Sequence, residues 1–172
     1  MKFILYLILF IFNFLSYSLN ANQIAIDKTI ITTNGGIEVY QDKKYYDLIN
    51  NVEIISPNFK LNASNVKAFY GKDFYDIIRI IAFGNAEIIT KEGSIIKGQK
   101  IDYEIVNKNF FVEGSGEFIG EELVVIGETI KGNFIEINNK EEIENVTAND
   151  PENVYIKNKD MKSYSKSAIY SK

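Results

Sequence analysis

The sequence predicts an all-β fold, an antiparallel sheet of repeated strand-turn-strand units folded over on itself along a crease. Three observations predict it. Beyond the first 21 residues, apolar and polar positions alternate in a chain dominated by β-branched and aromatic types. Turn-forming residues interrupt that alternation every ten or so positions, and no window there carries a convincing helical period. Two short patterns also recur four times at a nearly fixed mutual distance, and periods of this length belong to arrays in which each unit covers its neighbour's apolar face.

In chain order, residues 1–21 (MKFILYLILFIFNFLSYSLNA) place one lysine before an unbroken apolar run, Phe3 to Phe12, and end on Leu19-Asn20-Ala21. A basic start, a short apolar middle and a small residue at the cut are the parts of a secretory signal peptide, with cleavage expected after Ala21 and Ser18 as the fallback. A membrane span needs about 20 predominantly apolar residues and this run is shorter, although retention as an uncleaved anchor is the competing reading. Residues 22–172 are then expected to form a single domain. Loss of Lys2 takes the formal charge from −4 to −5, with 18 basic against 23 acidic residues.

Expected turns lie at Asn34-Gly35-Gly36, Ser56-Pro57-Asn58, Lys91-Glu92-Gly93, Asn107-Lys108-Asn109, Asn138-Asn139-Lys140 and Asn149-Asp150-Pro151. Between them run the repeats. Four pentapeptides match: Asn50-Asn51-Val52-Glu53-Ile54, Gly84-Asn85-Ala86-Glu87-Ile88, Gly114-Ser115-Gly116-Glu117-Phe118 and Glu152-Asn153-Val154-Tyr155-Ile156, their second residues 34, 30 and 38 positions apart. Each is followed, 12 or 13 residues after that second residue, by a small residue within a further pattern. The pattern is Leu61/Ala63/Val66/Ala68, Ile96/Gly98/Ile101/Tyr103, Val125/Gly127/Ile130/Gly132 and, with worn apolar character, Ser163/Ser165/Ala168/Tyr170.

The spacing has a geometric meaning. One face of a flat strand is read every second residue, so Ile96 and Gly98 share a side, but the step of three to Ile101 changes parity. A bulge or sharp bend at the small residue restores it, turning the strand through a corner so that Ile101 and Ile96 face one interior. The same corner in each repeat creases the whole sheet.

Composition narrows the chemistry. The chain has no Cys and no His, which removes thiol nucleophiles, thiolate metal sites and the usual general base at neutral pH. Glu121-Glu122 and Glu141-Glu142 are adjacent pairs that a strand points to opposite faces, so they do not form the facing couple of a glycosidase. Gly114-Ser115-Gly116 lacks the following helix and the lysine of a phosphate loop. No catalytic residue, metal site or cofactor is expected. With a pI near 5.0 and no basic run, nucleic acid is not an expected partner.

Gly84-Asn85-Ala86, followed after a hairpin turn by Gly98-Gln99-Lys100-Ile101-Asp102-Tyr103, resembles the family of the lipopolysaccharide transport protein LptA, also called OstA, in which a GNV or GNA strand start precedes a segment of the type G-x-x-I-x-Y. The similarity spans Ile24 to Tyr170 and is strongest from Asn50 to Asn133; the first copy, around Ile24 to Thr33, is indistinct. The resemblance implies a slightly twisted, V-shaped β-jelly-roll in the periplasm of a Gram-negative cell. It also implies lipopolysaccharide, held by its lipid A acyl chains, as cargo. An LptC-like protein would dock at the N-terminal edge and an LptD-like protein at the C-terminal edge, with head-to-tail homo-oligomers as a further assembly.

The residues support such a mechanism independently. A bent sheet with an apolar inner face and free edges offers a groove and sites for strand addition, and a head-to-tail contact of that kind propagates. Parity in the two patterns assigns the groove lining to Val52, Ile54, Leu61, Val66, Ala86, Ile88, Ile96, Ile101, Tyr103, Phe118, Val125 and Ile130. An apolar alternation does not say whether its face is filled or open, so a place in a packed core stays equally open for any single one of them. Two other readings are a membrane-tethered LptC-like subunit of the same pathway and an exported β-repeat module binding polysaccharide.

Overall fold

The computed structural model describes residues 22–26, 29–74, 76–159 and 161–172, with side chains from Thr29 onward. The expected signal peptide lies outside the described residues. Among the described residues eleven strands follow one another: β1 (Asn22–Ile26), β2 (Thr29–Thr33), β3 (Gly36–Tyr40), β4 (Tyr45–Ile55), β5 (Phe59–Tyr70), β6 (Ile77–Thr90), β7 (Ile95–Glu104), β8 (Asn109–Ile119), β9 (Leu123–Ile137), β10 (Lys140–Asn158) and β11 (Met161–Ser171). They form one sheet in the order β1-β2-β4-β5-β6-β7-β8-β9-β10-β11, with β3 also on β4. Every pairing is antiparallel. The first and last strands do not pair with each other, so the sheet is open.

The turn chemistry fixes the hairpins. Asn138 and Asn139 both adopt positive φ, 52° and 62°, between the paired residues Ile137 and Lys140, as a two-residue hairpin matched to strand twist requires. The Ser56 hydroxyl accepts hydrogen bonds from the amides of Asn58 (3.3 Å) and Phe59 (3.1 Å), closing the β4–β5 loop. Five of the six expected turns connect strands. Asn149-Asp150-Pro151 does not; it sits inside β10, where the ladder to β11 slips between Asn149 and Val154. The Asp150 carboxylate caps the amides of Glu152 (2.8 Å) and Asn153 (3.1 Å) there, so residues that usually reverse a chain instead bend a long strand where proline's missing donor is tolerated.

The crease is built in two ways on alternating strands. In β4, β6 and β8 it is a pair of left-handed residues: Asn50 (φ 63°) and Asn51 (49°), Gly84 (74°) and Asn85 (48°), Gly114 (77°) and Ser115 (52°). These pairs open three of the recurring pentapeptides, which is why Asn, Gly and Ser recur: they tolerate left-handed backbone where β-branched residues do not. The "GNA" segment therefore lies in mid-strand and not at a strand start. In β5, β7 and β9 the chain passes the crease at the small residue, and Leu61, Ala63, Val66 and Ala68 are all buried despite the parity change. The ladders slip accordingly: Phe83 faces Lys100 and Ala86 faces Gly98, leaving two residues of β6 opposite one of β7.

Replacing Asn85 by valine is expected to cost about 1–2 kcal/mol in urea unfolding, because a β-branched residue resists the left-handed region; glycine there should be close to neutral.

The outer face carries the scattered charges. Lys97 and Glu87 are cross-strand partners with their charged groups 3.0 Å apart, Lys60 lies 2.7 Å from Glu53, and Lys100 pairs with its cross-strand partner Glu113. Such half-exposed pairs contribute little to stability, but they mark this as the solvated side.

Candidate functional site

The crease divides the sheet into two walls. On one side lie β1, β2 and the half-strands carrying Val52–Ile55, Phe59–Ala63, Ala86–Thr90, Ile95–Gly98 and Gly116–Ile119; on the other lie β3 and those carrying Tyr45–Ile49, Val66–Tyr70, Ile77–Phe83, Ile101–Glu104 and Asn109–Val112. Phe110 and Phe118 belong to the same strand, eight residues apart, a separation of about 26 Å in an extended chain. Their rings instead stack with centroids 5.6 Å apart. The strand is folded back on itself, and the two walls face each other.

The apolar side chains of both walls merge into one cluster running from Ile31 to Val154. All twelve sequence-predicted groove residues belong to it: Val52, Ile54, Leu61, Ala86, Ile88, Ile96, Phe118 and Val125 from the first wall, Val66, Ile101, Tyr103 and Ile130 from the second. None exceeds 4% exposure, reached by Tyr103; seven, Ile101 and Phe118 among them, are at 0%, and the other four are at 1–2%. The spacing of the repeats thus brings the predicted set together, and the resting interior is filled by their mutual packing. Phe59 meets Tyr103 edge-on across the interior at 5.9 Å, and Phe134 flanks Phe118 at 6.1 Å. Gly98 is needed for this closeness: a β-carbon there would lie 2.2 Å from the Val112 side chain of the opposite wall.

Among the described residues the interior carries no group that is charged at neutral pH. Its polar members are the Thr33 and Thr90 hydroxyls and the phenols of Tyr46, Tyr70 and Tyr103; Thr33 donates to the carbonyls of Ile49 and Asn50. Burial, helped by the charge of Glu141, holds the Tyr103 pKa well above the ordinary phenol value. Among the described residues no group of acidic side chains is arranged to hold a metal ion.

Residues that the two repeat patterns do not include complete the interior, among them Ile31, Leu48, Ile80, Phe110, Val112 and Phe134. The signal for them was present as plain alternation: Phe110 and Val112 are buried, whereas Phe111 and Glu113 are only partly so. The indistinct N-terminal copy, around Ile24 to Thr33, falls on β1 and β2; along β4, β2 and β3 together supply one strand's worth of pairing, interrupted at the crease by the Asn34-Gly35 loop.

Where the free rims of the walls approach each other, the interior opens at two places. Toward the N-terminal end is a cavity of about 170 Å³ lined by Ile31, Ile54, Phe59, Ile77, Ile80 and Ile105, with Ser56, Asn58 and Asp76 at its edge. Further along is a polar recess of about 290 Å³ holding Glu92, Glu121, Glu122, Glu141, Glu142 and Lys140. At the far edge β11 is free on one side and exposes Met161, Tyr164 and Ile169.

No protein-family model and no curated protein sequence matches this chain. Among solved structures it is similar to LptH of Pseudomonas aeruginosa, described as the LptA-homologous periplasmic component of the lipopolysaccharide transport device, with a TM-score of 0.54 and 15% identity over 61% of this chain and 75% of that one. The chain has the LptA-like β-jelly-roll fold. The open antiparallel sheet, folded over along a crease, that the repeats predict is the one observed.

Proposed function

We propose that this chain is a periplasmic, non-enzymatic carrier of lipopolysaccharide, a member of the LptA/OstA family that receives the lipid from an inner-membrane complex and passes it toward the outer membrane. The observation that carries the reading is the uncharged apolar cluster continuous from Ile31 to Val154 between two walls of an open, creased sheet. The likeness in fold to a protein described as a lipopolysaccharide transport component supports it.

Because the interior is filled, a lipid enters by parting the walls and exchanging side-chain contacts for acyl-chain contacts. Each buried methylene contributes about 0.8 kcal/mol, and equivalent rungs along the cluster let a chain move from one repeat to the next at little net cost. The twelve clustered residues Val52, Ile54, Leu61, Val66, Ala86, Ile88, Ile96, Ile101, Tyr103, Phe118, Val125 and Ile130 are the proposed lipid contacts. The edge formed by β1 and β3 is proposed to take an LptC-like partner. The free β11 edge would take an LptD-like partner or, head to tail, a second copy.

The protein, expressed with its leader and purified from the periplasm, is expected to retain lipopolysaccharide on a column and to ignore the same polysaccharide after its acyl chains are removed. Equal retention of both would overturn the reading in favour of a polysaccharide-binding module.

A further inference from the structure

We infer that the outer face of the second wall carries a binding site for a neutral saccharide, one or two pyranose rings laid across the strands between two rows of outward side chains. The site faces away from the apolar interior and does not rest on the lipid-carrier reading.

Strand register builds it. Asp102, Phe111 and Lys131 stand directly opposite one another on β7, β8 and β9. Glu104, Asn109, Asn133 and Asn145 do the same on β7 to β10. The rows are two residues apart along the strands, about 7 Å, and four strands reach about 14 Å across. They border an open pocket of about 360 Å³, with Phe110 and Gly132 between them. A bulge shapes its far end: the β9–β10 ladder slips between Ile143 and Asn145, and the carboxylate of the extra residue, Glu144, accepts a hydrogen bond from the Asn133 amide.

The lining selects the ligand. Asparagine is disfavoured in strands, and departures from local preference concentrate at functional sites; three asparagines stand side by side here. They do not bond to one another. Asn109 donates to Glu104 (3.4 Å), Asn133 to Glu144, and the Asn145 side chain has no hydrogen bond among the described residues. A carboxamide offers a donor and an acceptor in one plane, which matches adjacent hydroxyls of a sugar ring. Phe111, half-buried, presents apolar surface to the C–H face of that ring. The Lys131 ammonium, 5.1 Å from the Phe111 ring centre, is in no ion pair among the described residues and is free to donate to a hydroxyl. Arg79 holds Asp102 through Nε at 2.7 Å, which leaves Glu104 and Lys131 to cancel, so an uncharged ligand is favoured over a phosphate.

The test uses the isotope-labelled whole protein and the methyl glycosides of glucose, galactose and N-acetylglucosamine, followed by NMR. At least one glycoside is expected to shift the side-chain amide signals of Asn133 and Asn145. Phe111→Ala and Asn145→Ala should each weaken its binding about tenfold, the effect of one lost contact of ordinary strength. Asn62→Ala, on the outer face of the first wall, should leave it unchanged. Urea midpoints verify that each variant is folded. No shift at these amides with any of the glycosides, a shift produced only by a trialanine peptide, or unchanged affinity in both folded variants overturns the site. Displacement of the glycoside by de-acylated lipopolysaccharide supports the sugars of that lipid as the natural ligand; displacement only by a soluble N-acetylglucosamine oligomer supports a separate glycan. A single open site of this kind is too weak to retain a polysaccharide on a column, so the column result for the carrier reading stands or falls on its own.

Discussion

Phe118→Ala is expected to lower the unfolding free energy by about 3–5 kcal/mol, the usual cost of removing a fully buried phenylalanine. The ring is at 0% exposure, stacks on Phe110 and touches Phe134, both from the opposite wall. Its loss therefore opens a void where the two halves of the sheet meet, and neither wall can collapse into the space without moving its neighbours' ladders. Against a total stability of about 5–15 kcal/mol for a domain, the variant should be close to unfolded at 37 °C. Phe111→Ala, on the outer face of the same strand beneath Lys131 (5.1 Å from the ring), serves as the control; about 1 kcal/mol or less is expected there. Urea titration followed by tyrosine fluorescence measures both. A loss at Phe118 no larger than that at Phe111 would mean that the walls do not pack on each other.

Ile101→Glu should be more damaging still at neutral pH. Ile101 is at 0% exposure in a cluster with no cationic side chain among its members, and an unpartnered carboxylate buried there costs several kcal/mol. The sign of its pH dependence follows. Burial raises the glutamate's pKa in the folded state, so the folded protein holds a proton that the unfolded one has released, and stability falls as pH rises through and above the ordinary carboxylate range. The variant is expected to be soluble and partly folded near pH 5 and to aggregate near pH 8. Lys100→Glu, one residue away on the solvated face, only exchanges the ion pair with Glu113 for a mild repulsion, an effect of about 1 kcal/mol or less. Light scattering and circular dichroism at the two pH values discriminate the pair; matching behaviour of the two variants would remove the distinction between inner and outer face.

Both results bear on transport. A charge inside the sheet disturbs folding before it can disturb a lipid contact, so variants at Ile101 or Val125 test the carrier reading only where the fold is shown to survive. The part-buried rim, Ile77 and Ile105 above all, is where side chains can be changed with less strain on the core.

What the sequence by itself determined is everything set by local backbone geometry. Alternation assigned the two faces of each strand, Asn138-Asn139 and Ser56-Pro57-Asn58 assigned hairpins, and the step of three from Gly98 to Ile101 assigned a corner, because side-chain direction depends only on the residues next in line. The tertiary structure alone decided three other matters. It placed Asp150-Pro151 in a bent strand, since the ladders of β9 and β11 on either side hold β10 extended past its turn-forming residues. It showed the Asn-Gly-Ser pairs to be left-handed crease points in mid-strand, a conformation those residues permit but do not impose. It also filled the apolar face: Phe118 and Phe110 are eight positions apart in the chain yet in contact, and how far a strand folds back on itself depends on packing between walls, which no run of neighbouring residues records.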